Sequence, residues 1–206
     1  MVISDTIYWI LFAIPSILIA STLHEYAHGL AAYKLGDPTA KAAGRLTLNP
    51  LAHIDPIGAL SMIFFRFGWS KPVPINEYNF KKGELGTAIT ALAGPFSNFL
   101  LASLCGLANW IFNVDTGSIG GLFLLTFTTI NLALAFFNLI PIPPLDGHKI
   151  VRAILPIKLR YYWQQMERFQ IIFLVILILP ITPSGSIASI FMSFFISKSL
   201  LLLGFL

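Results

Sequence analysis

The chain has 206 residues, of which 56% are hydrophobic and only 11% are charged, against roughly 25% charged residues in soluble globular domains. So few charges exclude a soluble enzyme, and the high hydrophobicity excludes a disordered chain. The net charge of +4 comes from Lys and Arg residues in loops, which mark membrane topology rather than nucleic-acid binding. The composition predicts one domain, residues 1–206, of an all-α multi-pass membrane protein.

Five apolar segments are candidates for membrane-spanning helices, each of which needs about 20 apolar residues. The first runs from Ile7 to Tyr33 and is followed by Gly36 and Pro38, which are typical of helix ends. The other four segments are Leu85–Phe112, Ile119–Ile140, Phe169–Ile181 and Ile187–Leu206. We therefore expect about five transmembrane helices, with a core over about residues 7–150 and a C-terminal helical hairpin over about residues 168–206.

The basic residues predict the orientation of the chain. Twelve of the thirteen lie either between the first and second spans or after the third span. A helical hairpin joins these two segments, so both lie on one side of the membrane, which the positive-inside rule makes cytoplasmic. The exception is Lys198 inside the last apolar run, whose charge must reach the interface or face the protein interior.

Two shorter segments between the first and second spans have other patterns. The apolar run Ile57–Phe67 is too short to cross, and a crossing would separate its basic flanks, so it predicts a re-entrant segment. In Ala42–Leu48, Arg45 and Thr47 alternate with apolar residues. This period-two pattern predicts a short β strand or hairpin arm near the cytoplasmic face.

The first span contains the sequence His24-Glu25-Tyr26-Ala27-His28, which is an HExxH motif. Positions four apart share one helix face, so both imidazoles can bind one metal ion, and Glu25 can accept a proton from a metal-bound water. Ionisable groups inside a membrane span are costly and are functional candidates by default. The alternative is that these polar side chains only pack against neighbouring helices.

A catalytic zinc site needs a third protein ligand. Asp146 is the best candidate, because it follows the third span in a stretch where three prolines within four residues must unwind the helix. Two other histidines have less direct interpretations. His53 is expected to be structural. His148, two residues after Asp146, could support that ligand, but a surface position beside Lys149 is the favoured expectation.

In combination, these motifs resemble the site-2 proteases, a family of intramembrane zinc metalloproteases that cut transmembrane segments of other proteins. The matching sequences are HExxH in the first span, Ala93-Gly94-Pro95-Phe96-Ser97-Asn98 in the second span and NLIPIPPLDG at residues 138–147. The segment GRLTLNPLAHIDPIG looks like the compact branch of the family that lacks PDZ and CBS domains.

The resemblance implies that His24, His28 and Asp146 bind Zn2+ and that Glu25 is the general base. It also implies that Asn138 lies near the scissile peptide, where its amide could donate a hydrogen bond to the substrate or the developing oxyanion. An equally good interpretation is that Asn138 bonds the backbone freed at the broken helix.

The sequence thus predicts an intramembrane zinc metalloprotease of the cell membrane, whose partners are the lipid bilayer and transmembrane protein substrates. We expect the active site in the cytoplasmic half, because His24 lies ten residues before Lys34, or about 15 Å along a helix. The alternative is a non-proteolytic metal-binding membrane protein, either a transporter or a pseudoprotease. The presence of Glu25 argues against both, since neither needs an acid at that position.

Overall fold

The computed structural model describes residues 4–65, 68–180, 182–183 and 185–206. Some predicted features extend outside these residues: the end of the re-entrant segment with Arg66 and Phe67, the last residue of the fourth apolar segment, Ile181, and Ser184 in the loop after it. The α-helices of the described residues are α1 (Asp5–Tyr8), α2 (Ile14–Lys34), α3 (Thr39–Ala42), α4 (Pro56–Phe65), α5 (Glu84–Phe112), α6 (Ile119–Asn138), α7 (Asp146–Ile154), α8 (Ile157–Gln165), α9 (Gln170–Ile178) and α10 (Ile187–Leu202).

Three continuous helical stretches are long and apolar enough to cross a membrane: Asp5–Lys34, Glu84–Phe112 and Ile119–Asn138. The first joins α1 and α2 through a π-helical turn at Trp9–Ala13. Their 30, 29 and 20 residues extend over about 45, 44 and 30 Å, and the hydrocarbon core of a bilayer is about 30 Å thick. The first three predicted spans are therefore confirmed as long apolar helices.

A short loop joins α5 and α6 into a hairpin. α5 ends at Asn113, whose backbone is left-handed (φ 49°, ψ 53°), a conformation that asparagine tolerates better than most residues. α6 begins after Ser118, whose Oγ accepts a hydrogen bond from the backbone N of Gly121 at 3.1 Å, as N-cap serines do. α5 and α6 consequently pack side by side, and α2 packs against both of them.

Apolar side chains attach the C-terminal helices to this bundle. One buried cluster joins α5, α6 and α10, and consists of Ala102, Leu132, Leu200 and Phe205. A second joins α9 and α10 to the turn before α7, and consists of Ile140, Leu145, Leu177 and Ala188. Beside the first cluster, the rings of Phe99 and Phe136 meet edge to face with centroids 5.0 Å apart.

The expected count of about five spans is not supported. α9 has nine residues and α10 has sixteen, which correspond to about 14 and 24 Å, and neither reaches the length of a full crossing. α9 ends at Ile178 because Pro180 disfavours helical backbone at the residue before it, and Leu179 is indeed extended (φ −62°, ψ 135°). The described residues contain three candidate spans and a shorter pair of C-terminal helices.

The predicted β strand or hairpin at Ala42–Leu48 is wrong. The backbone N of Arg45 donates a hydrogen bond to the carbonyl of Ala40 at 2.8 Å, and Gly44 has a positive φ of 67°. α-Helices commonly end with this hydrogen-bonding pattern. Residues 42–45 therefore form the C-terminal end of α3 rather than a strand. The described residues contain no strand, only the isolated bridges Ile54–Ser70 and Thr182–Gly185.

The predicted re-entrant segment contains α4, whose ten residues extend over about 15 Å and cannot cross the bilayer. The side chain of Asp55 accepts a hydrogen bond from the backbone N of Gly58 at 2.8 Å and so caps this helix. Before it, the buried His53 donates from Nε2 to the carbonyl of Thr47 at 2.9 Å, which fits the structural role expected for His53. The re-entrant path itself stays a prediction.

Arg152 on α7 joins four segments of the chain. Its side chain is buried and pairs with Glu77, with Glu84 at 3.6 Å and with Glu167 at 3.9 Å. Arg160 on α8 adds a second contact to Glu84, at 3.6 Å. Leaving a buried charge of this kind without its partner costs about 3–5 kcal/mol, so the network fixes α7 and α8 against the start of α5.

Asp37 fixes the chain before α5 against the end of α2. It is fully buried, and its carboxylate accepts hydrogen bonds from the backbone N of Asn76 and the side chain of Asn79, both at 2.8 Å, and from the backbone N of Thr39 at 3.1 Å. Burial by itself raises the pKa of Asp37, but these hydrogen bonds favour the charged form and bring the pKa below its ordinary value.

We expect the Asp37→Asn variant to be less stable than the wild type at neutral pH, by about 1–3 kcal/mol, since buried hydrogen bonds to a carboxylate are lost. A lowered folded-state pKa stabilises the fold above the ordinary Asp pKa of about 3.9 and loses that stabilisation as the pH falls through the lowered value. In detergent micelles, the unfolding temperature of the variant should therefore lie below that of the wild type at pH 7, and this difference should disappear in acid.

The matched control is Asp5→Asn, which removes an exposed carboxylate and should leave the unfolding temperature unchanged. Equal unfolding temperatures for the wild type and Asp37→Asn at pH 7 would contradict the role given to Asp37.

Candidate metal centre

Three buried side chains from two helices bring their ligand atoms together. His24 and His28 lie one turn apart on α2, and Asp146 is the first residue of α7. The two Nε2 atoms are 3.0 Å apart, and Asp146 Oδ2 lies 3.2 Å from Nε2 of His24 and 3.1 Å from Nε2 of His28. Among the described residues, these three form the one group of His, Cys, Asp and Glu that could hold a metal ion.

The hydrogen bonds of both imidazoles determine which nitrogen carries the proton. Nδ1 of His28 faces the backbone carbonyl of Thr90 at 2.7 Å, and Nδ1 of His24 faces Oδ1 of Asn98 at 2.6 Å. Both oxygens can only accept, so each Nδ1 is the donor. In the neutral rings both Nε2 atoms are then unprotonated, and their lone pairs point toward each other and toward Asp146.

This arrangement fits a bound cation. Three acceptor atoms about 3 Å apart repel one another unless a positive charge lies among them. Asp146 Oδ2 has no hydrogen-bond partner among the described residues. In a tetrahedral zinc site whose ligand atoms lie about 2.05 Å from the metal, two ligand atoms are about 3.3 Å apart. The observed separations of the ligand atoms, 3.0 to 3.2 Å, are close to this value. Two imidazoles and a carboxylate leave the fourth position open, as catalytic zinc sites do.

Gly94 on α5 leaves the space in which the ligand atoms meet. A Cβ built on Gly94 would lie 2.6 Å from Nε2 of His24 and would also overlap Nε2 of His28. The next residue, Pro95, has no backbone N–H, so the carbonyl of Ala91, four residues earlier, lacks its helical hydrogen bond. The neighbouring carbonyl of Thr90 accepts the hydrogen bond from His28. This turn of α5 therefore both leaves space for the ligand atoms and orients one of them.

The turn between α6 and α7 positions Asp146. α6 ends at Asn138 and α7 begins at Asp146, which confirms that the proline-rich stretch interrupts the helix. The backbone N of Leu145 donates to the carbonyl of Ile142 at 2.9 Å and closes the turn. A Cβ on Gly147 would lie 2.6 Å from the carbonyl oxygen of Ile140, so only glycine lets α7 begin this close to the end of α6.

Glu25 is buried beside the ligands, and the chain after α4 holds its carboxylate. Its Oε1 accepts a hydrogen bond from Ser70 Oγ at 3.0 Å, and its Oε2 accepts one from the backbone N of Val73 at 2.8 Å. Each carboxylate oxygen has two acceptor sites, so one site on each oxygen stays available for a proton.

A cavity of about 930 Å³ contains the three ligand residues and Glu25 in its wall. Asn138 also lines it and donates from Nδ2 to the carbonyl of Leu134 at 3.0 Å. The rest of the wall is largely apolar near α2 and α6 and includes the charged side chains of Glu77, Lys149, Arg152 and Glu167.

His148 does not lie at the surface as the sequence suggested, since only 2% of it is exposed. Its ring stacks on Trp163 with centroids 5.3 Å apart, and its Nε2 lies 3.2 Å from the carbonyl of Trp163. Sequence reasoning also missed the contact of Asn98 with His24. A signal was present, because Gly94 and Asn98 are four residues apart and so share one face of α5.

The comparisons with known proteins agree with this centre. A family model described as Peptidase family M50 matches residues 113–180. YwhC of Bacillus subtilis, named as a candidate zinc metalloprotease, is 38% identical over 186 residues, which cover 85% of this chain and 82% of the relative. The zinc metalloprotease MJ0392 of Methanocaldococcus jannaschii is 30% identical over 161 residues, which cover 78% of this chain and 39% of the relative.

Rip2 of Mycobacterium tuberculosis, also named as a candidate zinc metalloprotease, is 27% identical over 174 residues, which cover 82% of this chain and 66% of the relative. No solved structure matches the chain significantly. An HExxH pair and a carboxylate buried between long apolar helices define a membrane metalloprotein. The similarity to YwhC makes the class specific: the chain belongs to peptidase family M50, the site-2 proteases, and the resemblance seen in its motifs is confirmed.

We expect Gly94→Ala to abolish zinc binding, because the added methyl group would occupy the space in which the ligand atoms meet. The loss of affinity, measured by competition with a chelator, should exceed the roughly 10–100-fold typical of changes to groups that only orient a ligand. The matched control is Gly120→Ala on α6, where a Cβ meets no atom within 4 Å. Normal zinc affinity in Gly94→Ala would show that the metal binds elsewhere.

Proposed function

We propose that this protein is an intramembrane zinc metalloprotease that hydrolyses peptide bonds in or near transmembrane segments of other membrane proteins. His24, His28 and Asp146 are the proposed zinc ligands, and Glu25 is the proposed general base. The observation that carries the proposal is the convergence of two imidazole nitrogens and a carboxylate oxygen beside a buried glutamate. Family membership and the names of the relatives support zinc as the metal.

His24, His28 and Asp146 would hold the zinc ion, which would polarise the scissile carbonyl and make an attacking water more acidic. Glu25 accepts a proton from the water as the water oxygen adds to the carbonyl carbon. It then gives a proton to the nitrogen of the scissile peptide as the C–N bond breaks. The hydrogen bonds from Ser70 and Val73 keep the carboxylate in place and leave acceptor capacity for that proton. The apolar cavity wall limits competing water and strengthens these electrostatic interactions.

Asn138 is the proposed contact to the substrate backbone near the scissile bond. Its amide nitrogen has two N–H groups, and the hydrogen bond to Leu134 uses one of them. That hydrogen bond holds the Asn138 side chain against the last turn of α6, and the second N–H can serve a substrate carbonyl or an oxyanion.

We place the site in the cytoplasmic half of the cell membrane, with the N-terminus on the opposite side. The cavity supports this position, because its wall joins the ligands to the partly or fully exposed charged side chains of Glu77, Lys149 and Glu167. Charges of this kind favour contact with water, and the segments that carry most of the basic residues belong to the same side. No observation among the described residues favours the alternative of a transporter or pseudoprotease.

The test of this function is cleavage of a panel of transmembrane substrates by the wild type and Glu25→Gln. The amide is close in shape to the carboxylate but is not a base, so cleavage should fall by at least about 100-fold while the zinc content stays at one ion per chain. The control variant Asp115→Asn removes an exposed carboxylate outside the cavity and should cleave normally. Equal cleavage by the wild type and Glu25→Gln would refute the assignment of Glu25.

A further inference from the structure

Two buried amides connect α6 to the metal centre. Asn98 on α5 and Asn131 on α6 are both fully buried. Nδ2 of Asn131 donates to the carbonyl of Phe127 at 2.9 Å, and its Oδ1 accepts from Nδ2 of Asn98 at 2.8 Å. Nδ2 of Asn98 also donates to the carbonyl of Ala20 at 3.2 Å, and Oδ1 of Asn98 faces Nδ1 of His24 at 2.6 Å.

The direction of this hydrogen-bond chain is set by backbone carbonyls. Because the Phe127 carbonyl can only accept, Asn131 must present its Nδ2 there and its Oδ1 to Asn98. A turned Asn131 amide would bring two acceptors together at Phe127 and two donors together at Asn98. The Oδ1 of Asn98 is then left facing His24, whose Nδ1 carries the proton.

We propose that Asn131 is a positioning residue for the metal centre: through Asn98 it holds His24 in the tautomer whose Nε2 can bind a metal. The inference rests on the proposed role of His24 as a ligand. The two histidines differ in this respect. A backbone carbonyl, that of Thr90, holds His28 directly. His24 is held by a side chain, that of Asn98, which Asn131 orients through its shorter hydrogen bond.

The consequence of removing Asn131 follows from the partners of Asn98. In Asn131→Leu, only the longer hydrogen bond to the Ala20 carbonyl opposes a turn of the Asn98 amide. Such a turn breaks that bond and places Nδ2 opposite His24. A donor opposite Nδ1 favours the tautomer with the proton on Nε2, which must lose that proton before a metal binds. We expect zinc affinity to fall about 10–100-fold, the effect typical of losing a group that orients a histidine ligand.

The experiment compares zinc affinity in detergent, by chelator competition, for the wild type, Asn131→Leu, Asn131→Asp and Asn109→Leu. In Asn131→Asp, the new carboxyl group stays protonated, because it is buried without a cation beside it. It accepts from Asn98 and donates to Phe127, so it should retain most of the affinity. Asn109 is the matched control, because it is a buried asparagine of α5 whose Nδ2 donates to the carbonyl of Gly204 at 2.8 Å, away from the ligands. Asn109→Leu should lower thermal stability and leave zinc affinity unchanged.

A second readout reports the tautomer directly. In zinc-free protein, ¹⁵N NMR of labelled histidine should place the proton of His24 on Nδ1 in the wild type and move it toward Nε2 in Asn131→Leu, while His28 stays unchanged. Wild-type zinc affinity in Asn131→Leu, or an equal loss in Asn109→Leu, overturns the proposal.

Failure of the proposed function looks different from failure of this inference. If the wild type itself binds no stoichiometric zinc, or Glu25→Gln cleaves as well as the wild type, the function is refuted. If the wild type binds zinc and needs Glu25, and Asn131→Leu binds zinc equally well, only the role of Asn131 is refuted.

Discussion

The structure depends on the burial of three ligand atoms close together: two imidazole nitrogens, which carry no proton in the neutral rings, and one carboxylate oxygen. Nε2 of His24, Nε2 of His28 and Oδ2 of Asp146 lie 3.0 to 3.2 Å apart inside an apolar helical bundle. Without a cation, such an arrangement costs free energy, since buried polar groups need partners and like partial charges repel. The neighbouring elements keep these atoms together, and this makes the centre fit a metal ion.

Each neighbouring element contributes to the centre, and α5 contributes most. α2 brings the two imidazoles to one face, and the interrupted helix after Asn138 brings a carboxylate to the same place. On α5, the absent side chain of Gly94 leaves the space, and Thr90 and Asn98 orient the rings. Three of these contributions come from side chains or backbone groups that bind no metal, which explains why the site needs the whole bundle rather than the HExxH motif alone.

The sequence predicted the features that depend on local spacing. Residues four apart on a helix place His24 beside His28, and the prolines before Asp146 interrupt a helix wherever they occur. The long spans followed from runs of apolar residues. These predictions need no knowledge of which helices touch, because each rests on one segment and its backbone geometry. The ligand set itself came from the spacing of the histidines together with the family resemblance.

The failures depend on contacts between distant segments. The alternating pattern around Arg45 suggested a strand, but a strand needs a partner, and the backbone there ends α3 instead. The number of spans is the exception, because Pro180 is a local signal that shortens α9 and the apolar composition outweighed it in the prediction. His148 looked exposed beside Lys149 because nothing in the sequence reveals the stacking of Trp163 on its ring. The hydrogen bond between Asn131 on α6 and Asn98 on α5 likewise has no local signature.

The most direct test of the central claim is X-ray absorption at the zinc edge of the purified, metal-loaded protein. The account predicts one zinc per chain with two imidazole nitrogens, a carboxylate oxygen and no sulfur ligand, all at about 2.0–2.2 Å. A spectrum with a single imidazole, or with sulfur from Cys105, would contradict it, as would the absence of stoichiometric zinc.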